Sequence, residues 1–186
     1  SLGPAFVQNQ IDTKIIIYDH NADNIEYPIS VLNNSSARQY VDGSAFHLYG
    51  GDINNLSELK NTHPDKNLYF TEQWVGAPGN LYGDLRWHIR NLIIGATRNW
   101  CKTIIEWNLA SDENQKPHTE GGCSSCLGAV TITWNSVQRN TAYYVIAHAS
   151  KFVPPGSVRL FSSTSSTLPN VSFLTPEEKI VTIVLN

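Results

Sequence analysis

The feature that most constrains this chain is a run nearly continuous in β-branched residues, Lys14-Ile15-Ile16-Ile17-Tyr18, followed by three more short apolar runs. These are Ala45-Phe46-His47-Leu48-Tyr49, Leu68-Tyr69-Phe70-Thr71 and Thr103-Ile104-Ile105-Glu106-Trp107. A nearly continuous apolar run is how a strand buried on both faces reads, as in a parallel sheet. Helical patterns lie between the runs. Ser35 to Val41 opens on Ser35 as a plausible N-cap, and Ile53 to His63 is polar but helix-compatible. From Asp84 to Trp100, the residues Leu85, Ile89, Leu92, Ile93, Ala96 and Trp100 recur three or four apart and make one buried stripe. Strand and helix alternating at this spacing predict right-handed βαβ units.

After residue 128 the pattern changes. Thr141 to Phe152 reads as one more helix. Around it, Ala129 to Trp134, Ser157 to Ser162, Asn170 to Leu174 and Lys179 to Leu185 read as strands, with a Ser/Thr-rich hinge at Ser162 to Thr167. The expected division is therefore an α/β part over 1–128, then a last helix and part of an antiparallel β module over 129–186.

Composition excludes more than it proposes. A formal net charge of −3 argues against a nucleic-acid or anionic-membrane partner. No apolar run approaches the ~20 residues of a membrane span, and no signal peptide is visible. The absence of Met reads as a processed, excised or engineered chain, and the last residues stop inside a strand-like run. Three cysteines give no disulfide framework. The lone Cys123-Ser124-Ser125-Cys126 motif sits in a Gly-rich turn with too few ligands for a thiolate zinc site. It reads as a structural turn, disulfide-closed if the protein is exported. No metal and no cofactor are expected.

The four runs end in chemistry. The first gives Asp19-His20-Asn21, the second His47 and Tyr49, the third Glu72-Gln73-Trp74, the fourth Glu106-Trp107-Asn108. In a parallel α/β barrel the carboxyl ends of all strands open on one face, where the active site lies. Indole and phenol rings stack on sugar C–H faces, amides and carboxylates bond hydroxyls, and a carboxylate can serve as nucleophile or acid. No Gly-rich phosphate loop and no basic cluster compete with that reading. Plainer roles also fit. A single buried histidine such as His47 is more often a satisfied core residue than a catalyst. Trp74, Trp87 and Trp100 could all be core packing, the favoured reading for Trp87 and Trp100, and Glu106 could be a structural partner to an Arg or His.

Four motifs together resemble glycoside hydrolase family 30, which includes glucosylceramidases and β-1,6-glucanases. Asn67-Leu68-Tyr69-Phe70-Thr71-Glu72-Gln73-Trp74-Val75-Gly76 resembles its nucleophile strand. Glu106-Trp107-Asn108-Leu109-Ala110 resembles its eighth strand, and Ser150 to Ser157 the lead into its β-sandwich. Ile15 to Asn21 and Ala45 to Tyr49 match its fifth and sixth strands. The resemblance implies the second half of a (β/α)8 TIM barrel, strands five to eight, followed by part of an antiparallel β-sandwich. It implies retaining hydrolysis of a β-linked glucoside or glucan. Glu72 takes the place of the nucleophile, Trp107 of the platform under the reactive sugar, and Asp19, His47, Tyr49, Trp74 and Asn108 of pocket residues. Bacterial or fungal β-1,6-glucanases are the nearer likeness; hydrolysis of β-glucosylceramide is the alternative, and xylan fits less well. The Asn-Glu-Pro motif that carries the family's acid/base glutamate is absent. The chain alone is thus expected to be inactive, unstable or self-associating unless the missing half is supplied by another chain. Exported localisation (extracellular, periplasmic or lysosomal) follows from the same resemblance, and four Asn-x-Ser sequons at Asn33, Asn34, Asn55 and Asn170 permit glycosylation in a eukaryote. Two other classes stay open: a non-catalytic carbohydrate-binding fragment, and a redox protein using Cys123 and Cys126.

Overall fold

The computed structural model describes residues 2–186 and separates into two compact units. One runs to Glu72 and takes in Asn99–Ile104; the other comprises Gln73–Arg98 and Ile105–Asn186.

The first unit is built on a four-stranded sheet of β1 (Ile15–Ala22), β2 (Val41–Gly51), β3 (Asn67–Glu72) and β4 (Cys101–Ile104), lying side by side in chain order. Every pairing is parallel. The parallel sheet predicted from the four runs is present, with helices between successive strands. Burial concentrates in the two central strands, where Ala45, Phe46, Leu68 and Phe70 are sealed from solvent. The first run departs from expectation. β1 is an edge strand, and Ile16 is 40% exposed, because only one side of the strand has a hydrogen-bonded neighbour.

Two helical segments cover this sheet. Glu26–Asn33 contributes Ile29 and Leu32, and Leu56–Thr62, entered through a 3-10 turn at Ile53–Asn55, contributes Leu56 and Leu59. The first of these has a weak sequence signal because it contains Pro28. That residue lies in the first turn, where the missing N–H would have no intrahelical partner anyway. The next short helix, Ser35–Arg38, is capped by Asn34 and not by Ser35: the Asn34 side chain accepts from the amides of Ser36 and Ala37.

In the second unit the stripe expected from Asp84 to Trp100 becomes an α-helix, Leu81–His88, that widens into a π-helix over Ile89–Ala96. Ile89, Leu92, Ile93, Ile94 and Ala96 are buried along it. The wider turn, an uncommon form, rotates the later residues away from a 3.6-residue register. Trp87 remains 39% exposed, so its expected place in the core is not realised. Trp100 likewise is 47% exposed, at a positive φ of 74° in the turn that leads into β4.

Helix Thr141–Ser150 packs against this helical segment and buries Thr141, Ala142 and Val145. The chain then forms an antiparallel three-stranded sheet, β5 (Val158–Leu160), β6 (Asn170–Leu174) and β7 (Ile180–Val184). Arg98 ties its Ser162 hinge down, donating to the Ser162 hydroxyl and carbonyl and to the Asn170 carbonyl at 2.9–3.1 Å. The run after Ala129 does not join this sheet. Val130–Ile132 pairs with Ala110–Ser111 and Val137–Arg139 in a separate small sheet. Cys123 and Cys126 form a disulfide, and Ala77 donates its amide to Ser125 inside that loop. No helix among the described residues is long and apolar enough to cross a membrane.

Candidate active site

The carboxyl ends of β1, β2 and β3 bring Asp19, His47, Tyr49 and Glu72 together, and two register breaks decide how. Tyr18 pairs with Ala45 and His20 with Phe46, leaving Asp19 as an extra residue in β1. Phe46 pairs with Phe70 and His47 with Glu72, leaving Thr71 as an extra residue in β3. Such bulges re-aim side chains at strand ends. The two extra residues meet across β2: the Thr71 hydroxyl donates to Asp19 Oδ1 at 2.7 Å.

The bulge in β1 holds Tyr18 and Asp19 at φ of 79° and 54°, a region that side-chain-bearing residues rarely occupy. The surroundings fix it there. The Tyr18 ring packs on Phe46 and Tyr27, and its hydroxyl donates to the Asn21 carbonyl at 2.6 Å.

His47 is 8% exposed, and its Nε2 lies 3.0 Å from the same Asp19 oxygen. The hydrogen bond from Thr71 draws the Asp19 carboxyl below its ordinary value; burial works in the opposite direction, and His47 adds to the lowering. An ionised Asp19 is an acceptor, which makes Nε2 the protonated nitrogen of His47. The other ring nitrogen, Nδ1, stands 3.8 Å from Glu72 Oε1, beyond hydrogen-bond range. Glu72 instead accepts from the Tyr49 hydroxyl at 3.1 Å. Tyr49 is held in turn, its backbone amide donating to Asn21 Oδ1 at 3.0 Å. The result is a part-exposed carboxylate with a phenol on one oxygen and an imidazole edge close by. Such a group can attack an electrophilic carbon.

Trp74, Trp107 and Asn108 belong to the second unit. There the Trp107 amide donates to the Gln73 carbonyl at 2.8 Å, so Trp74 and Trp107 flank one backbone hydrogen bond. The Trp74 indole lies over Gly76, where an added Cβ would come within 3.0 Å of the ring. Trp107 is 41% exposed. On either side of it stand two buried acceptors that no donor among the described residues reaches, Glu106 Oε2 and Asn108 Oδ1. The other Glu106 oxygen is 2.8 Å from His88 Nδ1, so Glu106 has the structural histidine partner that was one reading of it. Burial raises the Glu106 carboxyl above its ordinary range, and His88 opposes that rise. From the sequence, Asn21 was read only as a polar strand end and Thr71 only as part of an apolar run. Their positions beside Glu72 and Asp19 were the only available signal, since the contacts arise from the bulges. Among the described residues no three His, Cys, Asp or Glu side chains gather as metal ligands.

Comparison with known proteins gives the family. The sequence profile of the glycosyl hydrolase family 30 TIM-barrel domain matches residues 1–153, and that of the family 30 beta sandwich domain matches 156–186. The chain belongs to glycoside hydrolase family 30. An endo-1,6-beta-D-glucanase of Aspergillus fumigatus is 36% identical over the whole chain, which covers 38% of that protein. Mouse lysosomal acid glucosylceramidase is 28% identical, again over all of this chain and 38% of its own length. The solved structure of an endo-beta1,6-glucanase superposes with a TM-score of 0.91 at 33% identity, covering 99% of this chain and 44% of that one. The chain thus spans well under half the length of the family 30 relatives it matches. Their domains account for what the fold shows, a four-stranded part of a TIM barrel and part of a β-sandwich.

Proposed function

We propose that the whole protein is a retaining β-glycosidase with Glu72 as its nucleophile, acting first on β-1,6-linked glucan. Glu72 attacks the anomeric carbon and forms a covalent glycosyl-enzyme. A second carboxyl, ~5–5.5 Å away in retaining enzymes, protonates the leaving oxygen and later deprotonates the incoming water. The observation that carries this reading is the Tyr49 hydroxyl on Glu72 Oε1 at a parallel strand's carboxyl end. The phenol fixes the carboxylate rotamer and leaves the other oxygen free to attack. Asp19 does not suit the acid/base role, because Thr71 and His47 favour its ionised form. It suits a sugar hydroxyl better, as do His47 and Tyr49. Trp74, Trp107 and Asn108 are proposed as further sugar contacts, Trp107 as the platform.

The relatives favour a β-1,6-glucan over glucosylceramide by identity, 36% against 28%. The Cys123–Cys126 disulfide suits an oxidising compartment, so we place the protein among exported enzymes. The test is trapping with a 2-fluoro-glucoside in the whole protein. Mass spectrometry should find the adduct on Glu72, and Glu72→Gln should lower turnover by roughly 10⁴-fold or more. An adduct on any other residue ends the assignment.

A further inference from the structure

The small sheet of the second unit ends in a hairpin whose apolar side chains serve no core. Val130–Ile132 pairs with Val137–Arg139, and the turn between them presents Trp134 at 102% exposure, the full accessible surface of an indole. Ile132 and Val137 are register partners, hence neighbours on one face, and are 48% and 65% exposed. A single exposed apolar residue is ordinary on a protein surface. This one stands on a fixed support. The turn is closed by the Thr133 amide on the Ser136 carbonyl at 3.0 Å and by a 2.7 Å bond between the Thr133 and Ser136 hydroxyls. At the base, the Asn140 side chain donates to the Gly128 carbonyl and the Thr131 hydroxyl at 2.9 and 2.8 Å.

The support also joins the hairpin to the segment that carries Trp107. Ala129 and Val130 donate their amides to the carbonyls of Asn108 and Leu109, and Ala110 pairs with Val130 in parallel. Trp107 precedes that paired row and Trp134 follows it, so the two indoles lie toward opposite ends of one ladder. Chain reach limits their separation to about 30 Å. The one charged side chain of the hairpin, Arg139 at its base, lies over the Tyr143 ring at 4.8 Å, and toward the turn Thr133, Asn135, Ser136 and Gln138 supply only neutral donors and acceptors. That chemistry fits a neutral, hydroxyl-rich polymer better than an anionic or peptide partner.

We propose that the Trp134 hairpin is an accessory platform that binds a β-glucan chain and favours polymer over short glucosides. This rests on the glycosidase reading above, and its test is separable from that of Glu72. The whole protein and its Trp134→Ala and Trp134→Phe variants are run through gels containing soluble β-1,6-glucan. kcat/KM is measured on an aryl β-glucoside in parallel. Trp134→Ala should weaken retention by roughly tenfold, Trp134→Phe by less, and aryl-glucoside kcat/KM should stay within about twofold. Unchanged retention overturns the proposal, and so does an equal loss of retention and aryl-glucoside turnover. A shift of oligomeric state in Trp134→Ala with retention intact overturns it in favour of a self-association surface. Undiminished activity in Glu72→Gln would remove the nucleophile and leave the retention result standing.

Discussion

At the scale of single residues, the site is governed by two that no strand ladder accommodates. Asp19 and Thr71 are the extra residues of adjacent bulges, and they bond each other across β2. Both placements are costly in isolation, a positive φ in one case and a broken ladder in the other. Both are stabilised by what they assemble: an ionised Asp19 that orients His47, next to a Glu72 held by Tyr49. Thr71→Val removes the largest influence lowering the Asp19 carboxyl. Its pKa should then rise toward the ordinary carboxylate value. If ionised Asp19 binds substrate, the acid limb of the kcat/KM profile moves to higher pH, with a loss of a few-fold near neutrality. A pH–rate profile of the whole protein checks this, and an unmoved acid limb would show that Asp19 does not titrate in the working range. Residue types alone placed Asp19, His47, Tyr49 and Glu72 on one rim. The connection through Thr71 was hidden, because a bulge has no compositional mark in this stretch.

Elements are also joined at the opposite, amino-terminal ends of the strands. Asp42 of β2 accepts from Asn67 Nδ2 at 2.9 Å and from the Tyr69 hydroxyl of β3, and pairs with Lys14 ahead of β1 at 2.9 Å. Burial alone would raise the Asp42 carboxyl, but the hydrogen bonds from Asn67 and Tyr69 and the pairing with Lys14 prevail and hold it at about 2. Because the folded value lies below the unfolded one, its stabilisation is fully present above pH ~4 and is lost as the pH falls toward 2. With solvent screening at this partly open position, the contribution is about 1–2 kcal/mol. Urea unfolding as a function of pH should show wild-type stability falling across that window, with a shallower fall in Asp42→Asn. The elements themselves were legible to different degrees. β6 and helix Thr141–Ser150 follow the sequence pattern closely. Helix Glu26–Asn33 was obscured by Pro28, and the helical stretch after Asp84 ends before Trp100, which stands in a turn at positive φ, 47% exposed.

For the whole molecule, the governing fact is a parallel sheet of four strands with β1 and β4 at its edges. A closed barrel of this kind has eight strands and no edges. Expressed by itself, the 186-residue chain should associate as its concentration rises, because β1 offers an open edge with exposed Ile16. Its turnover of aryl β-glucosides and β-1,6-glucan should stay at background, since the sequence holds no Asn-Glu-Pro acid/base motif. Light scattering after size exclusion and a chromogenic assay test both, and turnover comparable to a family 30 enzyme would refute the second.

The sequence by itself determined the architecture: four apolar runs at βαβ spacing make a parallel sheet, and polar residues at their ends make its carboxyl rim chemical. Hydrophobic periodicity and chain order are local properties, so they can be read from the string. Only the tertiary structure decided which strand is an edge, which indoles stay in solvent and which carboxylate accepts from which donor. Those depend on register between strands distant in sequence. A single-residue slip in register changes the face on which every following side chain stands. Around Glu72, two such slips shape the candidate site.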